Sequence, residues 1–368
     1  MRSLLFIVLL LLVHSNGASA AVVEGLYNAS VIVTDQSANA QKKAVKQALA
    51  EVLVKVSGNR ALLADDEVKT YLNRAENILL SYAFESTPDG LLYKAEFDTN
   101  KVESLLRSTG FSIWGKHRPQ TLIWLAMEEQ GTNRRELVSD STHAEVILAA
   151  KKAAAARGVD IAFPIMDLTD IQQVSVYDVW SSYTQNLVLA SERYATEYVM
   201  SGRLYYRDEQ PFSNQNEQQN ESQNTPQQLD VWVVEWMITR KGVFDSGESS
   251  GETPEIAIKN AVDMFTDVLA DKYAIEAISD NENNKTKVVI GNISSLTAYV
   301  EVLNFLTKLS VVVDVALVEQ QGSLATFELE LFGAEENLEE AFRLEDRLQR
   351  SLDDYGQPVQ DKPYVWRP

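Results

Sequence analysis

No cysteine occurs in the chain, and that one absence removes disulfides, thiolate metal sites and a cysteine nucleophile together. It also removes a lipid-modified cysteine as a covalent anchor. Histidine is scarce, with three in 368 residues. His14 lies in a leader, His117 in a Gly- and Pro-containing stretch, and His143 at a helix start. Neither of the last two offers the buried, oriented imidazole of a Ser-His-Asp triad, and a histidine metal site needs two or more together. Positive charge is in the minority: 33 Lys and Arg stand against 53 Asp and Glu, a formal net charge of -20. Phosphate backbones and anionic lipids attract basic proteins, so neither nucleic acid nor broad membrane adsorption is expected. The pairs Lys42-Lys43, Arg134-Arg135 and Lys151-Lys152 are dispersed and lack interleaved aromatics. Beyond residue 20 no apolar run is long enough to span a bilayer.

The first twenty residues carry export chemistry. Arg2 precedes an apolar run from Leu4 to Val13, the length of a signal-peptide core and short of the roughly twenty residues of a membrane span. Ala18-Ser19-Ala20 follows as a small-x-small site. Cleavage is expected after Ala20, giving a periplasmic chain that starts at Ala21, with no membrane insertion after cleavage; an uncleaved anchor is the alternative. With 45% hydrophobic residues, the rest suffices for two or three cores.

The patterning predicts an α+β, multi-domain chain of small mixed and antiparallel sheets with helices on one face. Residues 21–115 read as an N-terminal α+β domain. A strand over Val22 to Thr34 precedes a long helix whose stripe includes Ala44, Val45, Leu49, Val52 and Val56. Gly58 suits a left-handed cap. A helix over Asp65 to Ala75 follows, then strands Ile78 to Glu85 and Leu91 to Asp98, and a helix capped by Thr99 or Asn100. Trp114 to Pro119 reads as a linker, with a glycine, a proline and mixed charge.

Residues 116–278 read as a middle α/β domain. Its expected elements are a strand Thr121 to Met127, a helix opened by a Thr142 to Glu145 capping box and closed at Arg157-Gly158, and a short strand Ile161 to Met166. A single helix over Asp178 to Ser191, strands Tyr198 to Tyr206 and Leu229 to Thr239, and a helix from Thr253-Pro254 complete it. Asp208 to Gln228, rich in Asn, Gln and Glu, reads as a mobile hairpin excursion. Trp232, Val234 and Trp236 share one strand face, and core packing is its simplest use. Residues 286–355 read as a ferredoxin-like domain of β-α-β-β-α order, with Val311, Val313, Val315 and Leu317 alternating inward and Leu338, Phe342, Leu348 and Leu352 on a last helix. Residues 356–368 form a tail from which Pro363 to Trp366 can add a strand.

No catalytic, cofactor or metal constellation stands out. The best carboxylate group is Asp167 and Asp170, with Asp160 and Asp178 nearby, following a buried strand. Paired carboxylates hold divalent cations or do acid–base work, but Asp also favours turns and helix starts for its acceptor oxygens alone. Ile290 to Ser295 joins a strand to a helix without the second glycine and the lysine of a phosphate loop. Four Asn-x-Ser/Thr matches, such as Asn292-Ile293-Ser294, carry no weight, because the motif is common by chance.

Three stretches, Ala48 to Asn59, Phe163 to Asp170, and Ala190 to Tyr194 leading to Gly202-Arg203-Leu204, together resemble a proteobacterial family of periplasmic proteins, DUF2066. The resemblance spans nearly all of the mature chain. It implies a fold and a compartment and carries no residue roles. The middle segment is also similar in element order to the amino-terminal domain of the Tol-system translocation protein and to related envelope adaptors, which bind other envelope proteins; fold alone does not set function. These readings point to a non-enzymatic binding or scaffold protein with envelope proteins as partners and no cofactor. The alternatives are a carboxylate-based hydrolase, with or without a metal, using Asp167 and Asp170, and a small-molecule carrier with an apolar pocket between domains.

Overall fold

The computed structural model describes residues 21–88, 90–207, 231–240, 242–276, 285–343, 347–351 and 364–367. The leader through Ala20, the stretch Asp208 to Gln228 and most of the tail lie outside them. Among the described residues no helix is long and apolar enough to cross a membrane.

The N-terminal unit contains β1 (Ala21–Val22), β2 (Asn28–Val33), α1 (Ala38–Ser57), α2 (Asp66–Leu72), β3 (Leu79–Thr87), β4 (Gly90–Phe97) and α3 (Thr99–Ser108). The antiparallel sheet has the order β2-β4-β3. Ala29, Val31, Tyr93, Ala95 and Phe97 are buried at alternate positions, so the sheet has one dry face, and α1 lies against it. Ser37 opens α1 by accepting from the Ala40 amide, and Gly58 closes it at φ +73°. Asp98, rather than Thr99 or Asn100, caps α3 by accepting from the Lys101 amide. The expected strand from Val22 is two strands, because a turn at Glu24 to Tyr27 divides it.

The stretch Trp114 to Pro119 is not a linker. It carries β5 (His117–Arg118), which pairs antiparallel with β1, and Trp114 and Arg118 are 1% and 0% exposed. Its glycine and proline shape a buried crossing between units.

The middle unit contains β6 (Thr121–Glu128), β7 (Arg135–Leu137), α4 (Ala144–Arg157), β8 (Ile161–Ala162), α5 (Leu168–Gln173), α6 (Val176–Trp180), α7 (Thr184–Ser191), β9 (Tyr198–Arg207), β10 (Val231–Arg240), β11 (Val243–Gly251) and α8 (Pro254–Tyr273). Its mixed sheet runs β11-β10-β9-β6-β7, with β8 beside β6 and β6 parallel to β9. Alternation along β6 sends Ile123 and Leu125 to a core shared with α4 and α8, together with Trp232, Val234 and Trp236. Leu122, Trp124 and Ala126 face a second core closed by Val174, Val179, Leu187 and Ala190. Helices therefore cover both faces of this sheet. The single helix expected over Asp178 to Ser191 is two, because Ser182 takes φ +52° between α6 and α7. The Thr142 capping box does not form: His143 occupies the cap position, and Thr142 Oγ1 bonds Ser139 and His143 instead.

The C-terminal unit contains β12 (Lys285–Gly291), α9 (Leu296–Thr307), β13 (Val312–Gln321), β14 (Leu324–Leu331), α10 (Glu335–Arg343), β15 (Leu348–Arg350) and β16 (Tyr364–Trp366). The sheet order is β13-β14-β12-β16-β15. The β-α-β-β-α order is present, but β16 lies parallel beside β12, where a ferredoxin-like fold places an antiparallel fourth strand. Leu348 lies on β15, not on the last helix, and Trp366 is fully buried, so β15 and β16 contribute to the core. A bulge between Val312 and Asp314 breaks the alternation of β13 and leaves Val313 exposed. The N- and C-terminal units share one continuous apolar cluster that includes Ile113 and Ile275, two residues joined by an isolated antiparallel bridge.

Candidate functional site

Asp167 and Asp170 do come together, and their surroundings define what they do. Asp167 caps α5 by accepting from the Asp170 amide at 3.0 Å. Arg193, in the turn after α7, donates to both Asp167 oxygens at 2.8 and 2.6 Å and to Asp170 Oδ1 at 3.1 Å. Asp170 is fully buried. Its Oδ2 accepts from the Tyr194 hydroxyl at 2.5 Å and from the Met166 amide at 3.0 Å, and the Tyr194 oxygen accepts from the Ile165 amide at 3.0 Å. The Met166 backbone is left-handed at φ +54°, and the Asp170 bond holds it there. Asp160 and Asp178 stay outside this cluster: Asp160 accepts from Gln120, and Asp178 forms a capping box with Ser175.

The electrostatics follow from the geometry. The bidentate Arg193 bonds hold the Asp167 carboxyl well below the usual carboxylate range. Arg193 is in turn pushed further up, chiefly by Asp167. Burial, then the bond to Asp170, raises the Tyr194 hydroxyl to about 12. General-base work needs a carboxyl near the working pH, and divalent cations need free carboxylate oxygens. Here the Arg193 cation already occupies the space between the two carboxylates. Among the described residues no group of three or more acidic or histidine side chains has a metal-holding arrangement.

The clamp instead fixes the Ile165 to Ile171 segment onto the end of α7. What it presents outward is apolar. Ile165, Leu168 and Ile171 are 67%, 70% and 59% exposed, Tyr177 on α6 is 77% exposed, and Leu189 on α7 is 59% exposed. Large side chains so exposed on one helical layer are the usual sign of a contact surface. The inner sides of the same helices are dry, and Trp124 Nε1 donates to Ser191 Oγ at 3.0 Å beneath them. The surface therefore sits on a rigid support.

Sequence reading missed Arg193 and Tyr194 as partners, because no local pattern links them to carboxylates more than twenty residues earlier. It also missed a second polar node. Arg118 donates to the carbonyls of Lys55, Trp114, Gly115, Arg157 and Gly158 at 2.6 to 3.1 Å. Those carbonyls include the C-terminal ends of α1 and α4, whose dipoles favour a cation. Burial pushes the Arg118 guanidinium down to about 9, which leaves it charged at neutral pH.

Residues 20–115 match the model of a domain of unknown function, DUF8605. No curated protein and no solved structure matches the chain. Of the stretches that resemble DUF2066, Ala48 to Asn59 falls within the DUF8605 match, and the others fall in the middle unit between the two matched regions. Residues 285–355, the C-terminal unit built on β12 to β15, match the DUF2066 model itself.

Proposed function

We propose that this chain is an exported, non-enzymatic binding or scaffold protein that works through protein–protein contacts in the cell envelope, and that the outer side of the α5–α7 layer is one of its contact surfaces. The observation that carries the reading is the exposure of Ile165, Leu168, Ile171, Tyr177 and Leu189 on α5 to α7 and the segment before them. Large apolar side chains exposed together on a surface mark a site where another surface docks. The Leu4 to Val13 run with Ala18-Ser19-Ala20 supports export and a periplasmic setting. The saturation of Asp167 and Asp170 by Arg193 and Tyr194 supports a structural role for that pair.

Photocrosslinking in intact cells tests this. A crosslinker at Leu168 or Tyr177 is expected to capture a defined envelope protein, and one at Met264 on the opposite layer is not. Capture at Leu168 should vanish when Leu189→Asp is added. Equal capture at both layers, or none at either, overturns the reading, and a purified protein that turns over substrate through Asp167 and Asp170 replaces it with the hydrolase.

A further inference from the structure

A cleft of about 510 Å³ opens where the three units meet, within the size range of small-ligand sites. One wall is the buried crossing segment, with Trp114 and Lys116. A second is the end of α8, with Lys272 and Tyr273. The third is the turn between α9 and β13, with Lys308 and Leu309.

Its chemistry runs against the composition of the chain. With a formal net charge of -20, a random cleft would be acidic. Instead four cations, Lys116, Arg240, Lys272 and Lys308, line it against two carboxylates, Glu336 and Glu340 on the α10 side, and none of the three lysines makes an ion pair with a carboxylate among the described residues. The neighbouring cation is treated differently: Arg240 is paired with Glu197 at 3.1 Å and reaches Glu340 at 4.0 Å. The lining below the lysines is apolar and rigid, since Trp114, Leu309 and Val311 are all buried. Trp114 also carries a buried Nε1–H without an acceptor, although buried donors are almost always paired. The Tyr198 and Tyr273 hydroxyls meet at 2.9 Å beside the α8 wall.

We propose that this cleft binds a single-tailed amphipathic anion, its apolar part against Trp114, Leu309 and Val311 and its head group among the three lysines. Lysine ammoniums act as point charges and do not demand the planar, bidentate geometry that arginine imposes, so a carboxylate and a phosphate monoester share the required chemistry. The bound molecule touches the crossing segment, the middle unit and the C-terminal unit at once. It therefore stabilises their arrangement, with the logarithm of its concentration once the site is near saturation. The inference is independent of the α5–α7 surface.

Calorimetric titration of the purified mature chain tests it, with decanoate and decyl phosphate as probes and decyltrimethylammonium and decanol as controls. At least one anion is expected to bind about tenfold or more tightly than both controls, and to raise the melting temperature. Decanoate alone would assign a carboxylate head group and decyl phosphate alone a phosphate; either supports the site. The variant Lys116→Glu/Lys272→Glu/Lys308→Glu should lose about tenfold or more in anion affinity and leave decanol unchanged. Lys272 and Lys308 are exposed, so the double variant Lys272→Gln/Lys308→Gln reads the same effect if the triple variant fails to fold. Equal affinity for anions and cation, no binding of either anion, or anion binding untouched by the lysine substitutions overturns the proposal.

Discussion

Arg157, in the last turn of α4, donates to the carbonyl of Gly58, the left-handed residue that ends α1, at 2.8 Å. Arg157 also reaches Asp267 at 2.5 Å and the Asp263 carbonyl at 3.1 Å on α8. Asp263 in turn pairs with Arg60 at 2.5 Å. Arg118 lies on the other side of the same α4 end, with the Gly158 and Lys55 carbonyls. Two buried guanidiniums thus tie the N-terminal unit to the middle one through backbone carbonyls, where a side-chain swap cannot supply a substitute acceptor.

Replacing Arg118 with Leu strands five carbonyls in a dry site. The expected cost is about 3–5 kcal/mol, the scale of breaking a buried charged network. Arg118→Lys should recover only part of it, because a single ammonium cannot reach acceptors arranged around a planar fork. Urea unfolding midpoints of the three proteins check this.

At Gly58 an added Cβ would lie 2.5 Å from the Ala270 Cβ and 3.2 Å from Trp114, on a backbone already at φ +73°. Gly58→Ala combines left-handed strain with overpacking and should cost about 2–4 kcal/mol. The same denaturation series measures it.

Acid should weaken the α5 clamp. The folded-state Asp167 carboxyl is held below its ordinary value of 3.8, chiefly by Arg193. Its contribution is therefore complete at neutral pH and is lost as pH falls from about 4 downward. Asp167→Asn, which has no such proton to take up, should show a flatter decline in unfolding midpoint between pH 5 and pH 2, both values taken as approximate limits of the titration.

The apolar surface and its clamp separate by experiment. Leu168→Asp and Ile171→Asp touch exposed positions and should change stability by less than about 0.5 kcal/mol while abolishing crosslinks. Asp170→Ala leaves the Tyr194 hydroxyl and the Met166 amide without their acceptor and removes one of the three Arg193 bonds, the two to Asp167 remaining. It should cost about 3 kcal/mol and also reduce crosslinking, because the segment that carries Ile165 and Leu168 is released.

Export makes a prediction at the other end of the chain. Intact-mass analysis of protein recovered from the periplasmic fraction should give a chain beginning at Ala21. That residue opens β1 and pairs in register with Arg118, so cleavage after Ala20 preserves the β1–β5 pairing.

Elements with local causes were legible. The stripe of α1 with Gly58 at its end and the Thr253-Pro254 start of α8 both came from periodicity and capping chemistry within a few residues. The shared inward face of Trp232, Val234 and Trp236 came from strand alternation. Two of the misreadings share a long-range cause. Gly115 and Pro119 resemble a linker until Arg118 meets carbonyls of two distant helices. Leu348 fits a helical stripe until β16 pairs with it in strand form.

The candidate site divides the same way. That Asp167 and Asp170 would be neighbours follows from a spacing of three, and their fitness for turns follows from the aspartate side chain alone. The bonds they make depend on Arg193 and Tyr194, which tertiary packing brings to them. Composition, by itself, set the absence of thiol chemistry, the acidic charge and the amount of apolar surface to be buried. The placement of three lysines around one cleft, of Leu168, Tyr177 and Leu189 in the open on the α5–α7 layer, and of two arginines between units was decided only by the tertiary structure. Charge and hydrophobicity are properties of residues, but ion pairing, desolvation and exposure depend on which distant segments share the same space.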